Sequence, residues 1–425
     1  MLSILILSVL TGLAFTDPHI LYLKKFPSGV TYTFDAVETG ARLYIASNDD
    51  DSYLKNIQIS TNGNKKLKEI KFIVPLFRLD QLNNFNNNDT PKSLVITNGL
   101  TLRSTNIDTI TNVLTGYLYV TTKIQADDPT FSVFVIKTKT TVFTTGAAKS
   151  TAVILNTELI SDSPDLDKPL KTSYVSAINQ SPEIDLRFHY DIPGFNWTYI
   201  TINQFFENPL YIDNVNFDTG YVYNATRQYF DNVEPLQIGL DYWYLTTNGA
   251  VSMVLENKYV SNHVYTTTSV NATGLIVNNY IYQQHVVNFL LDYTYSRTVG
   301  TLITTFPNSV NYISFDLQPD DGNGIQQNFN INATVKHALM TTYFQASKLT
   351  INSTSLFPGT FYCQYYGYTG GLAPVTTTTV APSTVTSTEA SSTTTTTVAT
   401  TTKSSSTQRV VQLIILVLSF VLLKH

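Results

Sequence analysis

The stretch Thr360-Phe361-Tyr362-Cys363-Gln364-Tyr365-Tyr366 shows the composition on which the fold class depends. Threonine and aromatic residues favour the pleated, half-buried surface of a β-strand. Because successive side chains of a strand point to opposite faces, we expect Phe361, Cys363 and Tyr365 to share one face. The sequence therefore predicts a strand here, with Cys363 as a small buried residue.

The same composition extends over most of the chain. It contains 27 Tyr and 23 Phe, while charged residues make up only 13%, against roughly 25% in an average soluble protein. Short alternating patterns such as Val30–Phe34 and Arg42–Ala46 recur, separated by turn residues. Strands are also expected at Tyr53–Ile59 and Phe131–Thr144, and a hairpin is expected from Val310 to Val335. An interior linker rich in Asp and Pro is expected at Leu159–Pro169. Short strands at this spacing predict an all-β fold of two or three sandwich domains.

Cys363 is the single cysteine of the chain, so no disulfide can form within it. The domains must then be held by packing alone, which favours large sandwiches over small stapled modules. An unpaired cysteine can stay reduced, or it can pair between chains. Both alternatives remain open from the sequence.

The N-terminal segment has the pattern of a signal peptide. Met1 to Leu10 is apolar and is followed by Gly12 and Ala14, two small residues at the spacing that signal peptidase requires. We therefore expect residues 1–16 to be a signal peptide that directs the chain into the secretory pathway.

The C-terminal segment predicts a lipid anchor. Residues 373–407 are rich in Ser and Thr, which is typical of a disordered, O-glycosylated stalk. The apolar run Val410–Leu423 is shorter than the about 20 residues that a membrane-spanning helix needs. Residues 408–425 are therefore predicted to be a glycosylphosphatidylinositol (GPI) attachment signal. The alternative is a short single-pass membrane anchor.

The attachment residue is predicted to be Ser404. It opens the triplet Ser404-Ser405-Ser406, which supplies three small residues in a row. The usual spacer of about 8–12 residues points instead to the region of Ala399.

Seven sequons of the type Asn-x-Ser/Thr predict N-glycosylation and exposed positions. Asn179 is the weakest of them, because Pro182 follows its Ser181. The acceptor residues are Asn88, Asn179, Asn196, Asn224, Asn271, Asn332 and Asn352.

These features divide the chain into five predicted segments. They are the signal peptide (1–16), a β-sandwich domain (17–155), a second β-rich region of one or two domains (156–372), the stalk (373–407) and the GPI signal (408–425).

The sequence contains no motif for a common catalytic chemistry, such as HExxH, GxSxG, GxGxxG or a P-loop. The six histidines are scattered, so neither a metal site nor a cofactor is predicted. Asp49-Asp50-Asp51 and Asp320-Asp321-Gly322-Asn323 could supply oxygen ligands for calcium, but solvated turns are the simpler interpretation. A formal charge of −5 without a basic face argues against a nucleic-acid partner.

Aromatic residues are the other candidates for contact with a ligand. Trp197, Tyr199, Trp243 and Tyr244 could stack on a sugar or a lipid, although aromatic residues in strands more often belong to a core.

The closing pattern resembles a known family. Leu349-Thr350-Ile351, followed by Phe357-Pro358-Gly359 and then Thr360 to Tyr366, is similar to the last strands of the CUB-like domains of nematode surface proteins. The signal peptide, low cysteine content, Thr-rich stalk and apolar terminus resemble that group as well. The resemblance implies a jelly-roll β-sandwich, with a CUB-like end at 241–372. It also implies GPI anchoring in membrane rafts and a role in the response to pathogens. CUB domains carry paired disulfides, which this chain lacks.

The sequence thus predicts a non-catalytic, GPI-anchored glycoprotein on the extracellular side of the plasma membrane. Its expected partners are the membrane, through the lipid anchor, and an extracellular ligand such as a glycan or a microbial surface. The alternative is a secreted hydrolase whose site is assembled from distant Asp and Glu residues. Its activity on glycosidase, esterase or peptidase substrates would distinguish it.

Overall fold

The structure is a computed structural model that describes separate blocks of the chain between residues 17 and 369. The described residues are 17–25, 31–34, 37–61, 76–83, 91–104, 114–144, 146, 149–157, 171–194, 203–215, 222–259, 264–266, 271–279, 284–289, 297–305, 312–318, 327–332, 337–342, 348–353 and 360–369. The predicted signal peptide, interior linker, stalk and GPI signal lie outside them.

The first part of the described chain forms two four-stranded sheets. Its strands are β1 (His19–Tyr22), β2 (Thr31–Phe34), β3 (Arg42–Ala46), β4 (Ile57–Ser60), β5 (Phe77–Arg78), β6 (Leu94–Val95), β7 (Leu100–Ser104) and β8 (Tyr117–Val120). Sheet 1 has the order β1-β8-β3-β6, and sheet 2 has the order β2-β7-β4-β5. The two sheets enclose an aliphatic core that includes Leu43, Ile45, Leu118 and Val120 from sheet 1 and Ile57, Ile59, Leu100 and Leu102 from sheet 2.

Short helices join some of these strands. They are a 3-10 turn at Leu23–Lys25, α1 (Asp51–Leu54), α2 (Leu79–Leu82) and α3 (Lys123–Asp127).

Helix α1 corrects one expectation, because a strand was predicted from Tyr53 to Ile59. The Asp50 carboxylate accepts a hydrogen bond from the Ser52 amide at 2.6 Å and so caps the first turn of a helix. The strand β4 starts only at Ile57. The neighbouring Asp49 accepts hydrogen bonds from the amides of Thr115 and Gly116, both at 2.9 Å, which ties the turn to the start of β8.

The middle of the chain adds twelve strands within the described residues. They are β9 (Phe131–Ile136), β10 (Lys139–Phe143), β11 (Ser150–Asn156), β12 (Lys171–Gln180), β13 (Leu186–Tyr190), β14 (Gln204–Asn208), β15 (Leu210–Val215), β16 (Val222–Gln228), β17 (Asn232–Val233), β18 (Leu236–Ile238), β19 (Tyr242–Thr247) and β20 (Val251–Tyr259). Sheet 3 has the order β14-β13-β19-β11-β9, sheet 4 has the order β10-β20-β12-β18, and β15 pairs with β16.

Sheets 3 and 4 share a second core, which is more aromatic than the first. It includes Phe134, Ile154, Phe188 and Trp243 from sheet 3 and Val175, Leu236, Met253 and Leu255 from sheet 4. A single strand was expected from Phe131 to Thr144. Instead the chain turns at Lys137 and Thr138, so β9 and β10 enter different sheets.

A tyrosine-rich layer joins sheet 1 to sheet 3. Its buried members are Ala46, Tyr117 and Tyr119 from sheet 1 and Val133, Val135, Val153, Leu155 and Tyr244 from sheet 3. The Tyr117 hydroxyl donates to the backbone carbonyls of Asp241, at 2.6 Å, and Asn156, at 3.0 Å. Tyrosine suits this position because its ring fills the layer while its hydroxyl reaches a backbone acceptor.

The last part of the described chain forms two five-stranded sheets. Its strands are β21 (Val264–Thr266), β22 (Ala272–Asn279), β23 (Gln284–Asn288), β24 (Arg297–Thr305), β25 (Tyr312–Gln318), β26 (Gln327–Asn332), β27 (His337–Thr342), β28 (Lys348–Ser353) and β29 (Thr360–Thr369). Sheet 5 has the order β17-β22-β29-β24-β27, and sheet 6 has the order β21-β23-β28-β25-β26. The hairpin that was predicted across residues 310–335 is confirmed, because β25 and β26 pair antiparallel.

Strand β29 lies inside sheet 5 and connects it to sheet 3. Tyr362 stacks on Phe205 at a centroid distance of 4.4 Å. The Gln364 side chain is fully buried. Its Oε1 accepts from the Glu207 amide at 2.9 Å, and its Nε2 donates to the Glu207 carbonyl at 2.8 Å. Cys363, between these two residues in sequence, is buried and unpaired.

The all-β fold class that the sequence predicts is therefore confirmed. The predicted boundary at residue 155 lies within β11, which pairs with β9 before it and with β19 after it. The number of separate domains stays a prediction.

We predict that Gln364→Leu destabilises the protein strongly. The substitution leaves the buried amide and carbonyl of Glu207 without their partner, at about 1–3 kcal/mol for each unsatisfied group. The free energy of unfolding, measured by denaturant titration with fluorescence, should fall by about 2–4 kcal/mol. Gln284→Leu is the matched control, since Gln284 is exposed and its side chain donates a hydrogen bond to Asn352 at the surface, and it should change stability by less than about 0.5 kcal/mol. Equal effects of both substitutions would contradict this role of Gln364.

Candidate functional site

One face of sheet 4 is turned away from the core. Along β20, the side chains of Val251, Met253 and Leu255 are buried, while those of Ser252 and Val254 between them, and of Glu256 after them, are only half-buried. Partners that pair directly across a sheet point to the same side. The outer face is therefore defined by Lys139, Thr141, Phe143, Tyr174, Asn179, Ser252, Val254, Glu256 and Lys258.

The end of the outer face at Glu256 is charged. The Glu256 carboxylate lies 3.2 Å from Lys258 Nζ and 3.6 Å from Lys139 Nζ. The hydrogen bond from Lys258 is the largest cause that holds the pKa of Glu256 below its usual value. Lys258 Nζ also lies 3.6 Å from the centroid of the Tyr174 ring. Exposed ion pairs contribute little to stability, so this row mainly keeps the face polar and accessible.

The opposite end of the outer face carries an exposed aromatic ring. Phe143 is 57% exposed, the highest fraction among the large hydrophobic residues of the described chain. In the strand register, Phe143 pairs with Ser252, and Ser252 pairs with Asn179 on its other side. The exposed ring, a small hydroxyl residue and an exposed sequon asparagine thus lie in one row across three strands.

Three of the seven predicted acceptors have described side chains. Asn179 is exposed on β12. Asn271 is half-buried directly before β22 and has a φ of 57°, a left-handed conformation that asparagine tolerates. The half-buried Asn352 accepts a hydrogen bond from Gln284 Nε2 at 2.9 Å.

Two further predicted acceptor residues lie in β-strands. Asn224 lies in β16 and Asn332 ends β26, in sheet 6 together with Asn352. Asn88, Asn196 and Ser404 lie outside the described residues. The described acceptors are spread over several sheets, and glycosylation at each of them stays a prediction.

Two groups of buried or half-buried titratable residues resemble parts of an active site. His189 is 3% exposed, stacks on Tyr244 at 4.6 Å, and places its Nε2 3.0 Å from the Thr246 hydroxyl. Burial lowers the pKa of His189 to about 4, with Asn203 acting in the opposite direction. A histidine with this pKa is neutral near pH 7, where it fills the core as an aromatic ring.

The second group contains two carboxylates. The guanidinium of Arg187 lies 3.7 Å from Asp185 and 3.7 Å from Glu207. Burial is the largest cause that raises the pKa of Glu207, and Gln204 donates a hydrogen bond to its carboxylate at 2.7 Å. Networks of paired charges shift pKa values in structural positions as well as in catalytic ones. The shared arginine makes this group an ion-pair network at the edge of sheet 3.

The described ranges contain no group of three or more His, Cys, Asp or Glu residues that could hold a metal ion. Asp49 and Asp50 accept hydrogen bonds from backbone amides. Asp320 and Asp321 lie outside the described residues.

The aromatic candidates of the sequence differ from the exposed aromatic residue of the structure. Trp243 and Tyr244 are buried in two different cores, while Trp197 and Tyr199 lie outside the described residues. Phe143 was not predicted to be exposed, because residues 131–144 were predicted to form one long strand. The alternation of Val142 with Phe143 was the signal that could have identified an outward ring.

Stacked β-sheets define an all-β protein with a sandwich-like architecture. A family model described as "Transmembrane glycoprotein" matches residues 38–419, and the chain belongs to that family. The protein is accordingly a surface glycoprotein.

Two solved structures show a weak likeness to the chain. The T=1 particle derived from infectious bursal virus is 11% identical, with 84% of this chain and 75% of that chain covered and a TM-score of 0.08. The subviral particle of infectious bursal disease virus VP2 is 9% identical, with 84% and 78% covered and a TM-score of 0.08. A search of curated proteins found no match.

Within the described part of the chain, no helix has the length and apolar character needed to cross a membrane.

We predict that His189 makes the protein less stable in acid. In the unfolded state, the pKa of His189 has its ordinary value near 6.5. Between pH 6.5 and about 4, His189 is therefore protonated in the unfolded protein but neutral in the folded protein. Stability should therefore be complete above pH 6.5 and should fall as the pH drops towards 4, by about 3 kcal/mol at most. The measurement is the free energy of unfolding as a function of pH.

His189→Gln is the variant that tests this assignment, since it removes the titrating ring. Its stability should change less between pH 6.5 and 4 than that of the native protein. The raised pKa of Glu207 acts with the opposite sign, and it cancels when the two proteins are compared at each pH. Parallel pH curves for the two proteins would show that His189 is not the responsible group.

Proposed function

We propose that this protein is a non-catalytic, GPI-anchored glycoprotein that binds or shields at the outer surface of the cell. The observation that carries the surface-glycoprotein part of the proposal is the family match, which extends from residue 38 to residue 419 and so includes most of the sheets and the first ten residues of the apolar run Val410–Leu423. A surface glycoprotein needs a folded body that presents loops and sheet faces to its surroundings. The outer face of sheet 4 is the best-described candidate for such contact.

The proposed partner is a glycan or a microbial surface, in keeping with the resemblance to CUB-like proteins of the pathogen response. The charged row at Lys139, Glu256 and Lys258 offers donors and acceptors of hydrogen bonds to sugar hydroxyls. The exposed ring of Phe143 offers an apolar contact on the same face. We expect the purified protein to bind members of a glycan array and to be inactive on glycosidase, esterase and peptidase substrates.

The lipid anchor is the more specific part of the proposal. The run Val410–Leu423 supports GPI attachment, because it is shorter than the about 20 apolar residues of a spanning helix. The family description, with its word "transmembrane", favours the alternative of a short single-pass anchor. The two anchors differ in their sensitivity to a phospholipase.

We predict that phosphatidylinositol-specific phospholipase C releases the native protein from intact cells. The enzyme cleaves a lipid anchor and leaves a membrane-spanning helix untouched. A matched variant with seven leucines inserted between Leu416 and Val417 should remain on the cells, because its apolar run reaches the length of a spanning helix. Retention of the native protein, while a known GPI-anchored protein is released from the same cells, would contradict the lipid anchor and support the single-pass alternative.

We further predict that the stalk acts as a spacer. Residues 374–404, if O-glycans keep them extended at ~3.1 Å per residue, span on the order of 100 Å. A scrambled stalk of equal Ser, Thr and Pro content should therefore preserve binding of a glycan-coated bead to cells, while deletion of the stalk should weaken it. Equal loss of binding in both variants would show that the stalk is itself a recognition element.

A further inference from the structure

The row Phe143, Ser252 and Asn179 lies at the uncharged end of the outer face. Neighbouring strands are ~4.8 Å apart, so Phe143 and Asn179 are separated by about 10 Å across β20. Ser252 between them has a short side chain, and the charged residues of the face lie two or more positions away along each strand. On this face, the register thus places only the short side chain of Ser252 between the described residues Asn179 and Phe143.

The Phe143 ring is held in place although it is exposed. Its neighbour Phe134 contacts it edge-to-face, with centroids 5.7 Å apart and an interplanar angle of 74°. Phe134 itself belongs to the core between sheets 3 and 4. One edge of the Phe143 ring is thus fixed against the core, while more than half of the residue stays exposed to solvent.

A glycan on Asn179 would begin with N-acetylglucosamine attached to the side-chain amide nitrogen. One face of such a pyranose ring presents several C–H groups, and these form an apolar patch that loses contact with water when it lies on an aromatic ring. An asparagine side chain and one pyranose ring, lying along the sheet, can cover the separation of two strands.

Three aromatic residues of the described chain are exposed, namely Tyr53, Phe143 and Tyr211. Of these, the strand register aligns Phe143 with an acceptor asparagine. Tyr53 lies in α1, and Tyr211 pairs with Arg227 across the β15–β16 hairpin. The alignment of an exposed ring with an exposed sequon is therefore particular to this end of sheet 4.

We propose that Phe143 is an intramolecular binding site for the first N-acetylglucosamine of a glycan on Asn179, whose apolar face packs on the Phe143 ring across Ser252. The inference rests on the glycosylation that the proposed function includes. The packed sugar covers an exposed phenylalanine, and the glycan thereby stabilises sheet 4.

The test compares four forms of the full chain purified from eukaryotic cells: native, Phe143→Ala, Ser181→Ala and the double variant. Ser181→Ala removes the sequon and leaves Asn179 itself unchanged. Unfolding midpoints are measured by tryptophan fluorescence, for which the buried Trp243 is a reporter. Glycopeptide mass spectrometry measures the occupancy of Asn179, and an endoglycosidase that leaves one N-acetylglucosamine separates the first sugar from the rest.

We expect Phe143→Ala to lower the midpoint by about 2 °C or more when Asn179 is glycosylated, and by clearly less in the Ser181→Ala background. Trimming to one sugar should preserve the difference. Phe143→Ala should also increase several-fold the rate at which a peptide N-glycosidase releases the Asn179 glycan from the folded protein. Tyr53→Ala, which removes another exposed aromatic ring, should leave that rate unchanged.

Two results would overturn the proposal. One is an equal effect of Phe143→Ala in both backgrounds, which would show that the ring stabilises the sheet without the sugar. The other is an unmodified Asn179 on a chain whose other acceptors are occupied, which would refute this site while leaving the proposed glycoprotein function intact. If no acceptor at all were occupied, the proposed function would fail as well.

Discussion

The side chain of Gln364 is a buried amide that must find hydrogen-bond partners within the protein. It finds them on the backbone of Glu207, where it both accepts and donates, and on the Thr273 hydroxyl. A buried amide that lacks such partners is costly, so this arrangement permits little sliding of β29 against β14. The stacking of Tyr362 on Phe205 acts at the same junction and adds apolar contact to the polar one. These contacts help to hold sheet 5 next to sheet 3.

A second constraint is the absence of any disulfide that could form within the chain. The sheets must be joined by packing, and tyrosine side chains form much of the contact between sheets 1 and 3. The buried ring of Tyr117 contacts Tyr22 and Tyr242 at centroid distances of 5.8 Å each, while its hydroxyl is bound by backbone carbonyls. This use of tyrosine agrees with a chain that contains 27 of them and few charged residues. Such a core tolerates an extracellular environment without depending on oxidation.

Local patterns in the sequence predict the strands but not the contacts between sheets. The alternation at Arg42–Ala46 corresponds to β3, and the hairpin of β25 and β26 follows from its two flanking strands. The pattern was misleading near Asp50, where a capping carboxylate starts a helix, and between β9 and β10, where the turn has no glycine or proline. The contact of Gln364 with Glu207 joins residues 157 positions apart, and no periodicity reports such a pairing. The alignment of Phe143, Ser252 and Asn179 can likewise be recognised only when the register of three strands is known.

The central claim is that β29 and β14 form one cooperative unit. Native-state hydrogen exchange of the purified protein tests it directly, since it measures an opening free energy for each backbone amide. If the two strands form one unit, the backbone amides of Glu207 in β14 and of Tyr362 to Tyr366 in β29 should exchange with the same opening free energy. This opening free energy should also decrease equally for all of them when denaturant is added. If β29 opened at a much lower free energy while β14 stayed protected, the Gln364 contact would not hold the two sheets together.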